Sequence, residues 1–306
     1  VTLDVAIVGG SFAGLTAALQ LGRASRAVTV FDTGRPRNAA SPAAHGVPGW
    51  DGRSPFEIIA AIRKDAAAYP TVNLSDQAVT DLSGEADGFR LTTAAGDITA
   101  RRVILACGVT DRLPDIPGLA EGWGTWALHC PYCHGYEVKG RPLAFLGRGP
   151  MALMMARMLR ADWSNDVTVI AHEGNWGSET EAEAVALGVT LRRAALLHAA
   201  PEGDGARLTL SDGSELFTAG LFLHGETTFA APFVAGVGLA TLPGPTGPYL
   251  ATTDFRVTSR GGIFAVGDIT RPAGIVTPAL ADGAIAGTAA HQSLLWPDRF
   301  PPFTES

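Results

Sequence analysis

The sequence is short of cysteine, of basic residues and of long apolar runs, and each shortage removes a class of protein. Three cysteines in 306 residues cannot build the paired framework of a small secreted domain, because one must stay unpaired or all stay reduced. Lysine and arginine number 23 against 30 acidic residues, a net charge of −7. No basic run occurs, so neither nucleic acid nor an anionic membrane surface is an expected partner. No apolar stretch approaches the roughly 18 residues that a spanning helix needs. The chain enters "LDVAIVGG" directly, which leaves no room for a charged-then-apolar leader. Charged residues are only 17% and hydrophobic residues 46%, which excludes a disordered chain and supplies sizeable cores. This length suits two domains. A soluble, cytoplasmic protein is expected, and there a close cysteine pair is more often redox-active than structural.

What is present begins with "DVAIVGGSFAGLTAALQLGRASRAVTVFD", which reads as strand, glycine turn, helix, strand. Val5 to Val8 form a continuous apolar run, as in a parallel strand buried on both faces. The turn Gly9-Gly10-Ser11-Phe12-Ala13-Gly14 keeps the outer glycines of G-x-G-x-x-G but has Ser11 at the middle one. Gly9 permits the tight turn and Gly14 close helix–strand packing. A pyrophosphate then sits on free N–H groups at the helix start. Asp32, at the end of the second strand, is placed to accept hydrogen bonds from a ribose.

The pattern recurs in "PLAFLGRGPMALMMARMLRADWSNDVTVIAHE": a strand at Leu143 to Leu146, the turn Gly147 to Ala152, a helix, then a strand at Val167 to Ile170. Two such units suggest two nucleotides, one of them held permanently. Met151, Met154, Met155 and Met158 read as core packing. Near the end, "GGIFAVGDITRPAGIVTPALADGAIAGTAAHQSLL" places Gly267-Asp268 after a short strand and starts a small-residue helix near Pro278. Asp268 is either a ligand for a polyol chain or a helix cap beside a turn glycine.

In this order the pieces resemble the low-molecular-weight thioredoxin reductase-like flavoproteins, nearly end to end. The carriers are the N-terminal fingerprint, "ILACG" at Ile104 to Gly108, "HCPYCHGYE" at His129 to Glu137, the second unit and "FAVGD". The resemblance implies an α/β fold of two Rossmann-like, doubly wound, three-layer domains, and a homodimer. The FAD-binding domain is expected from residues 1–114 plus 248–306, and the central domain from 115–247. The hinges are expected at "LPDIPG" (Leu113 to Gly118) and "PGPTGPY" (Pro243 to Tyr249), rich in proline and glycine as boundaries often are. It also implies that Gly9, Gly10, Ser11, Phe12, Ala13, Gly14 and Asp32 hold the ADP half of FAD, with Gly108 and Gly267 in the same site and Asp268 on the ribitol.

The cysteine pair is then read as redox-active. Glutaredoxins share Cys-Pro-Tyr-Cys, but there it opens a long helix, and here Gly135 and Gly140 leave room only for a short one. Zinc is disfavoured because no distant second ligand pair accompanies His129 and His134. No metal is expected, and His129 is read as structural. By the resemblance, Cys133 faces the flavin and Cys130 is the interchange thiol. His134 stands where ordinary thioredoxin reductases carry an acid and where the oxidases of natural-product dithiols, of gliotoxin and holomycin type, carry histidine. It is read as a base for an incoming thiol, against the alternative of a solvated capping histidine. Cys107 is read as a buried small hydrophobe on a strand.

Nicotinamide binding is less well supported. Counting from Gly147 as from Gly9, with one residue of slack, the ribose acid is replaced by Ala171, with Glu173 two residues on. No arginine or lysine follows to hold a 2′-phosphate. Residues 115–247 carry 8 basic against 14 acidic side chains, and the rest of the chain 15 against 16. NADPH is therefore disfavoured and NADH stays open, with loss of any pyridine nucleotide favoured. The expected function is oxidation of a small-molecule dithiol through Cys130–Cys133 and FAD, with O2 as acceptor and H2O2 as product. The alternatives are a nicotinamide- or ferredoxin-dependent disulfide reductase acting on a thioredoxin-like protein, and a non-enzymatic flavin redox sensor.

Overall fold

The apolar run near the N-terminus forms the strand Leu3–Val8, the middle of a parallel sheet in the computed structural model, which describes residues 2–147, 149–171 and 177–305. Val28–Phe31 and Val72–Ser75 extend the sheet on one side, with Val5 opposite Val28 and Val28 opposite Val72. On the other side lies Gly96–Leu105, whose far half pairs in parallel with Ile263–Ala265. A short antiparallel meander, Val79–Ser83 and Phe89–Thr93, continues from its near half. Helix α1 (Phe12–Arg23) follows the first strand, and α2 (Pro55–Ala67) precedes the strand at Val72. The C-terminal helix α6 (Val276–Ser293) lies against α1. The crossing is close because α6 is built of small residues: a Cβ at Gly283 would stand 2.2 Å from the carbonyl oxygen of Ala13. The sheet's other face, including Ala6, Val8, Val103 and Leu105, packs on Phe89, Leu91, Val234 and Leu250. Full burial of one such phenylalanine or leucine contributes about 1.5–3 kcal/mol.

The second unit repeats the plan. Its parallel sheet runs Thr190–Arg192, Val167–Ala171, Leu143–Gly147, Gly220–Leu223, Ala127–Leu128. Alternation along Leu143–Gly147 divides the layers. Leu143 and Phe145 face a core with Leu153, Met155 and Leu159 of α4 (Gly149–Asp162) and Ala184 of α5 (Ser178–Ala186). Ala144 and Leu146 face a core with Leu196, Ala199, Leu208 and Leu210 of a three-stranded antiparallel sheet. This is a three-layer Rossmann-like unit. Met151, Met155 and Met158 join the helix-side core, while Met154 faces outward.

The division between units differs from the expected one. One unit comprises Val1–Ala39, Val47–Asp111 and Thr227–Ser306, the other Ala40–Gly46 and Arg112–Glu226. The second crossing thus falls at residues 226–227 rather than 247–248, because Phe229, Val234, Val237 and Leu239 pack into the first unit's core. Neither proline-rich stretch is a free hinge. Ile116 and Leu119 are buried in the second unit, and Pro117 accepts a hydrogen bond from the Ala199 N–H at 3.0 Å. Residues 243–248 form the turn of a hairpin between Thr241–Leu242 and Tyr249–Leu250. Proline and glycine serve tight turns as readily as linkers. Among the described residues no helix is long and apolar enough to cross a membrane.

Candidate active site

Cys130 and Cys133 are joined as a disulfide. The short helix α3 (Pro131–His134) carries them, with Cys130 at its N-cap and proline at the first helical position, where a missing N–H costs nothing. The Cys133 N–H donates to Cys130 Sγ at 3.1 Å, so a thiolate released on Cys130 has a donor already in place. Gly135 ends the helix against Trp163. A Cβ there would lie 2.6 Å from the Pro131 carbonyl oxygen and 2.7 Å from the indole nitrogen. Trp163 also supports Tyr132 edge-on, with centroids 5.8 Å apart. Tyr132, between the cysteines, and Tyr136, three residues after Cys133, are 76% and 79% exposed.

His134 is half-buried on the turn that holds Cys133. Burial lowers its pKa below the usual 6.5, against the raising effect of Glu137, and His45 lowers it further. It is therefore largely an unprotonated imidazole at neutral pH, the form that accepts a proton. His45 is a residue the sequence reading missed. It belongs to the segment Ala40–Gly46, which packs with the second unit although it comes from the N-terminal third of the chain. Its Nε2 lies 3.4 Å from Glu137 Oε1. His129 lies beside Trp123, with centroids 5.9 Å apart. Among the described residues no three histidine, cysteine or acidic side chains group as metal ligands do.

Cys107 lies just past the strand Gly96–Leu105 rather than on it, packed against the first unit's core. Burial pushes its thiol up to about 11. A disulfide reagent at neutral pH should find no fast thiol in the oxidised protein and two after reduction. A fast thiol before reduction would show that Cys107 is accessible or that the pair is open.

The N-terminal turn has the shape of a dinucleotide cradle. Gly9 has φ +109°, and a Cβ there would stand 2.3 Å from the Ala106 carbonyl oxygen. A Cβ on Gly14 would stand 1.9 Å from the Gly9 carbonyl oxygen, and one on Gly10 would meet the Asp32 side chain at 2.7 Å. Asp32 directly follows Val28–Phe31 and lies 3.7 Å from Arg63. Ser11 occupies the N-cap of α1 without a side-chain cap bond, and α6 likewise starts uncapped after Ile275. Both helix starts therefore present N–H groups for which an anionic or electron-rich ligand is a natural partner. Phe12 and Ala13 are buried in the first turn of α1, and Gly108 has φ +68° beyond Cys107.

Asp268 does not cap a helix. It lies in the turn Gly267–Thr270 and accepts from Arg37 Nη1 at 2.8 Å. Arg37, absent from the sequence reading, also donates twice to Asp111, at 2.7 and 2.6 Å. Burial alone would lower its pKa, but its bonds and charges with Asp111 and Asp268 prevail and raise it. A second carboxylate, Asp282 of α6, is 1% exposed, accepts from the Gly267 N–H at 3.2 Å and pairs with Arg256 and Arg271. It braces the turn that carries Asp268.

In the second unit, Gly149 has φ +64° and Ala171 ends its strand opposite Gly147. Glu173 lies outside the described residues. The formal negative charge of α5 is partly compensated: Glu183 pairs with Arg157 at 3.1 Å and Glu181 with Arg193. Repulsion of a 2′-phosphate is thus weaker than the charge count implies, but two arginines of this region are already engaged.

Compared with known proteins, the chain matches the family described as pyridine nucleotide-disulphide oxidoreductase over residues 3–287. It is 35% identical over 311 residues to thioredoxin reductase tcpT of Claviceps purpurea, across 96% of this chain and 94% of that protein. Its structure is similar to that of an oxidoreductase from Agrobacterium tumefaciens, with a TM-score of 0.91 and 40% identity over 97% of this chain and 100% of the other. It is also similar to the crystal structure of HlmI, with a TM-score of 0.88 and 32% identity over 97% and 94%.

Proposed function

Because the chain belongs to the pyridine nucleotide-disulphide oxidoreductase family and is a thioredoxin reductase-like disulfide oxidoreductase, we propose that it works in the oxidising direction, turning a small-molecule dithiol into a disulfide. The observation that carries this reading is the placement of His134, half-buried and adjacent to Cys133 of the disulfide, where burial lowers its pKa and favours the neutral imidazole. A thiol becomes a nucleophile only on losing its proton, and a neutral imidazole removes one at physiological pH. The likeness of "CPYCHG" to the natural-product dithiol oxidases supports the same direction. The engaged arginines Arg157 and Arg193 give a nicotinamide 2′-phosphate little to bind.

The first substrate thiol gives its proton to His134, and its sulfur attacks Cys130 Sγ. Cys133 departs as the thiolate. The second substrate sulfur then displaces Cys130, closing the product disulfide and leaving both cysteines reduced. FAD, when bound, would supply the two-electron acceptor for the reduced pair, with O2 as the final oxidant and H2O2 as the product. Gly9, Gly10, Ser11, Phe12, Ala13, Gly14 and Asp32 would hold its ADP half, with Gly108 beside them and Gly267 and Asp268 at the ribitol. The fit is supported by backbone approaches that leave no room for a Cβ at Gly9 or Gly14, and by the uncapped starts of α1 and α6. A homodimer belongs to the same reading.

The test is anaerobic mixing followed through the flavin absorbance. A dithiol should bleach the protein and air restore the colour with peroxide release, while NADPH should act far more slowly. Rapid, saturable bleaching by NADPH would instead make the protein a reductase for a thioredoxin-like partner. His134→Ala should slow bleaching by a dithiol on the order of 10²-fold, the low end for loss of a general base. The sign with pH follows from the imidazole. Its pKa lies below 6.5, with Glu137 and His45 the charged groups acting on it, so its base form persists into mild acid. The wild-type rate should fall as pH drops through that lowered pKa, and His134→Ala should lose this limb.

A further inference from the structure

Oxidising a dithiol releases two protons, and one imidazole accepts only one. We infer that His45 and Glu137 supply the second acceptor, so that His134 serves the first substrate thiol and His45, paired with Glu137, serves the thiol that closes the product disulfide. The inference rests on the dithiol reading above and adds a division of labour to it.

The geometry begins with the placement of His45. The segment Ala40–Gly46 is seated on Gly124, where a Cβ would stand 2.7 Å from the Ala40 carbonyl carbon and where φ is +82°. No side chain at Gly124 holds the two backbones apart. His45 Nε2 thereby comes to 3.4 Å from Glu137 Oε1. Glu137 follows His134 by three residues on the turn after α3, and α3 carries both cysteines. The carboxylate is thus paired with the His45 imidazole, and its charge also acts on that of His134. It also offers a way out, since the Glu137 side chain is 44% exposed while that of His45 is 22%.

The electrostatics agree. A charge on His45 disfavours one on His134, whereas Glu137 favours it. Two imidazoles whose charges repel each other do not hold two protons comfortably without an anion acting on both. The balance closes within the protein. One S–S bond breaks between Cys130 and Cys133 and one forms in the substrate. Two electrons pass to the cysteine sulfurs, one proton passes to His134 and one to His45.

His45→Gln keeps a hydrogen-bonding side chain and removes the titrating one. Glu137→Gln keeps the shape and removes the charge. The probe is dithiothreitol, mixed anaerobically with the oxidised holoprotein, quenched in acid and weighed intact. In both variants the mixed disulfide between dithiothreitol and Cys130 should form at the wild-type rate and then accumulate, with its resolution slowed on the order of 10²-fold. His134→Ala should instead slow its formation. With 2-mercaptoethanol, which has one proton to lose, His45→Gln should match the wild type. Resolution at the wild-type rate in His45→Gln overturns the inference. So does equal slowing of both steps, because a merely structural role would act on both. A wild type that exchanges thiols in two steps but releases no peroxide in air would refute the oxidase reading and leave the relay standing.

Discussion

Cys130→Ser and Cys133→Ser should each abolish the proposed conversion of a dithiol to its disulfide and leave bound cofactor at the wild-type level. Both sulfurs are required: one to be attacked, the other to leave, with the pair storing two electrons between the half-reactions. The variants should nevertheless differ toward an aromatic disulfide reagent. In Cys133→Ser the remaining Cys130 sulfur keeps the backbone N–H of residue 133, which donates to it at 3.1 Å. That bond favours the thiolate and so the faster reaction. In Cys130→Ser the remaining Cys133 sulfur does not receive this bond, which is directed at position 130, and should react more slowly. Cys107, held up to about 11 by burial, contributes only a slow phase in both. The opposite order would exchange the two roles, and full turnover in either variant would remove the pair from the chemistry.

Where the sequence was legible, the reason was local. Both strand–turn–helix units, the short helix at the cysteines and the glycine spacings are written in contiguous runs of about ten to thirty residues, the length over which hydrophobic period and turn chemistry act. Arg37 and His45, which escaped notice, act across long separations. Arg37 reaches Asp268 over 231 positions. His45 meets Glu137 only because the segment Ala40–Gly46 packs with the second unit. Asp282 sits in a run of alanine and glycine that reads as helix packing, and nothing nearby in sequence announces Arg256 and Arg271 as its partners. The difference between the expected boundary and the two compact units has another origin. A proline- and glycine-rich stretch marks a change of chain direction but does not say whether a domain ends there, and at residues 243–248 it closes a hairpin. Formal charge misled in a similar way, because Glu181 and Glu183 are paired with arginines whose position no count reveals.

If Asp268 holds the ribitol as proposed, Gly274→Ala should weaken FAD binding by roughly 10- to 10²-fold while leaving the chain folded. Gly274 lies in the loop before α6, and a Cβ there would stand 2.1 Å from Asp268 Cγ and 2.2 Å from each carboxylate oxygen. The added methyl thus meets a side chain rather than backbone, and the local fold can survive if the carboxylate swings away. Asp268 then loses its bond from Arg37 at 2.8 Å, while Arg37 keeps its two bonds to Asp111. A hydrogen bond between a charged group and a hydroxyl is worth about 1.5–3 kcal/mol, which converts to the stated loss of affinity. Titration of apoprotein with FAD measures it, and far-ultraviolet circular dichroism with a thermal melt of the apoprotein separates it from unfolding. Asp268→Asn, which keeps the shape and drops the charge, should weaken binding in the same direction by a smaller factor. Wild-type affinity in Gly274→Ala would mean that Asp268 does not touch the cofactor, and the acid at the end of this strand would then serve only to hold Arg37.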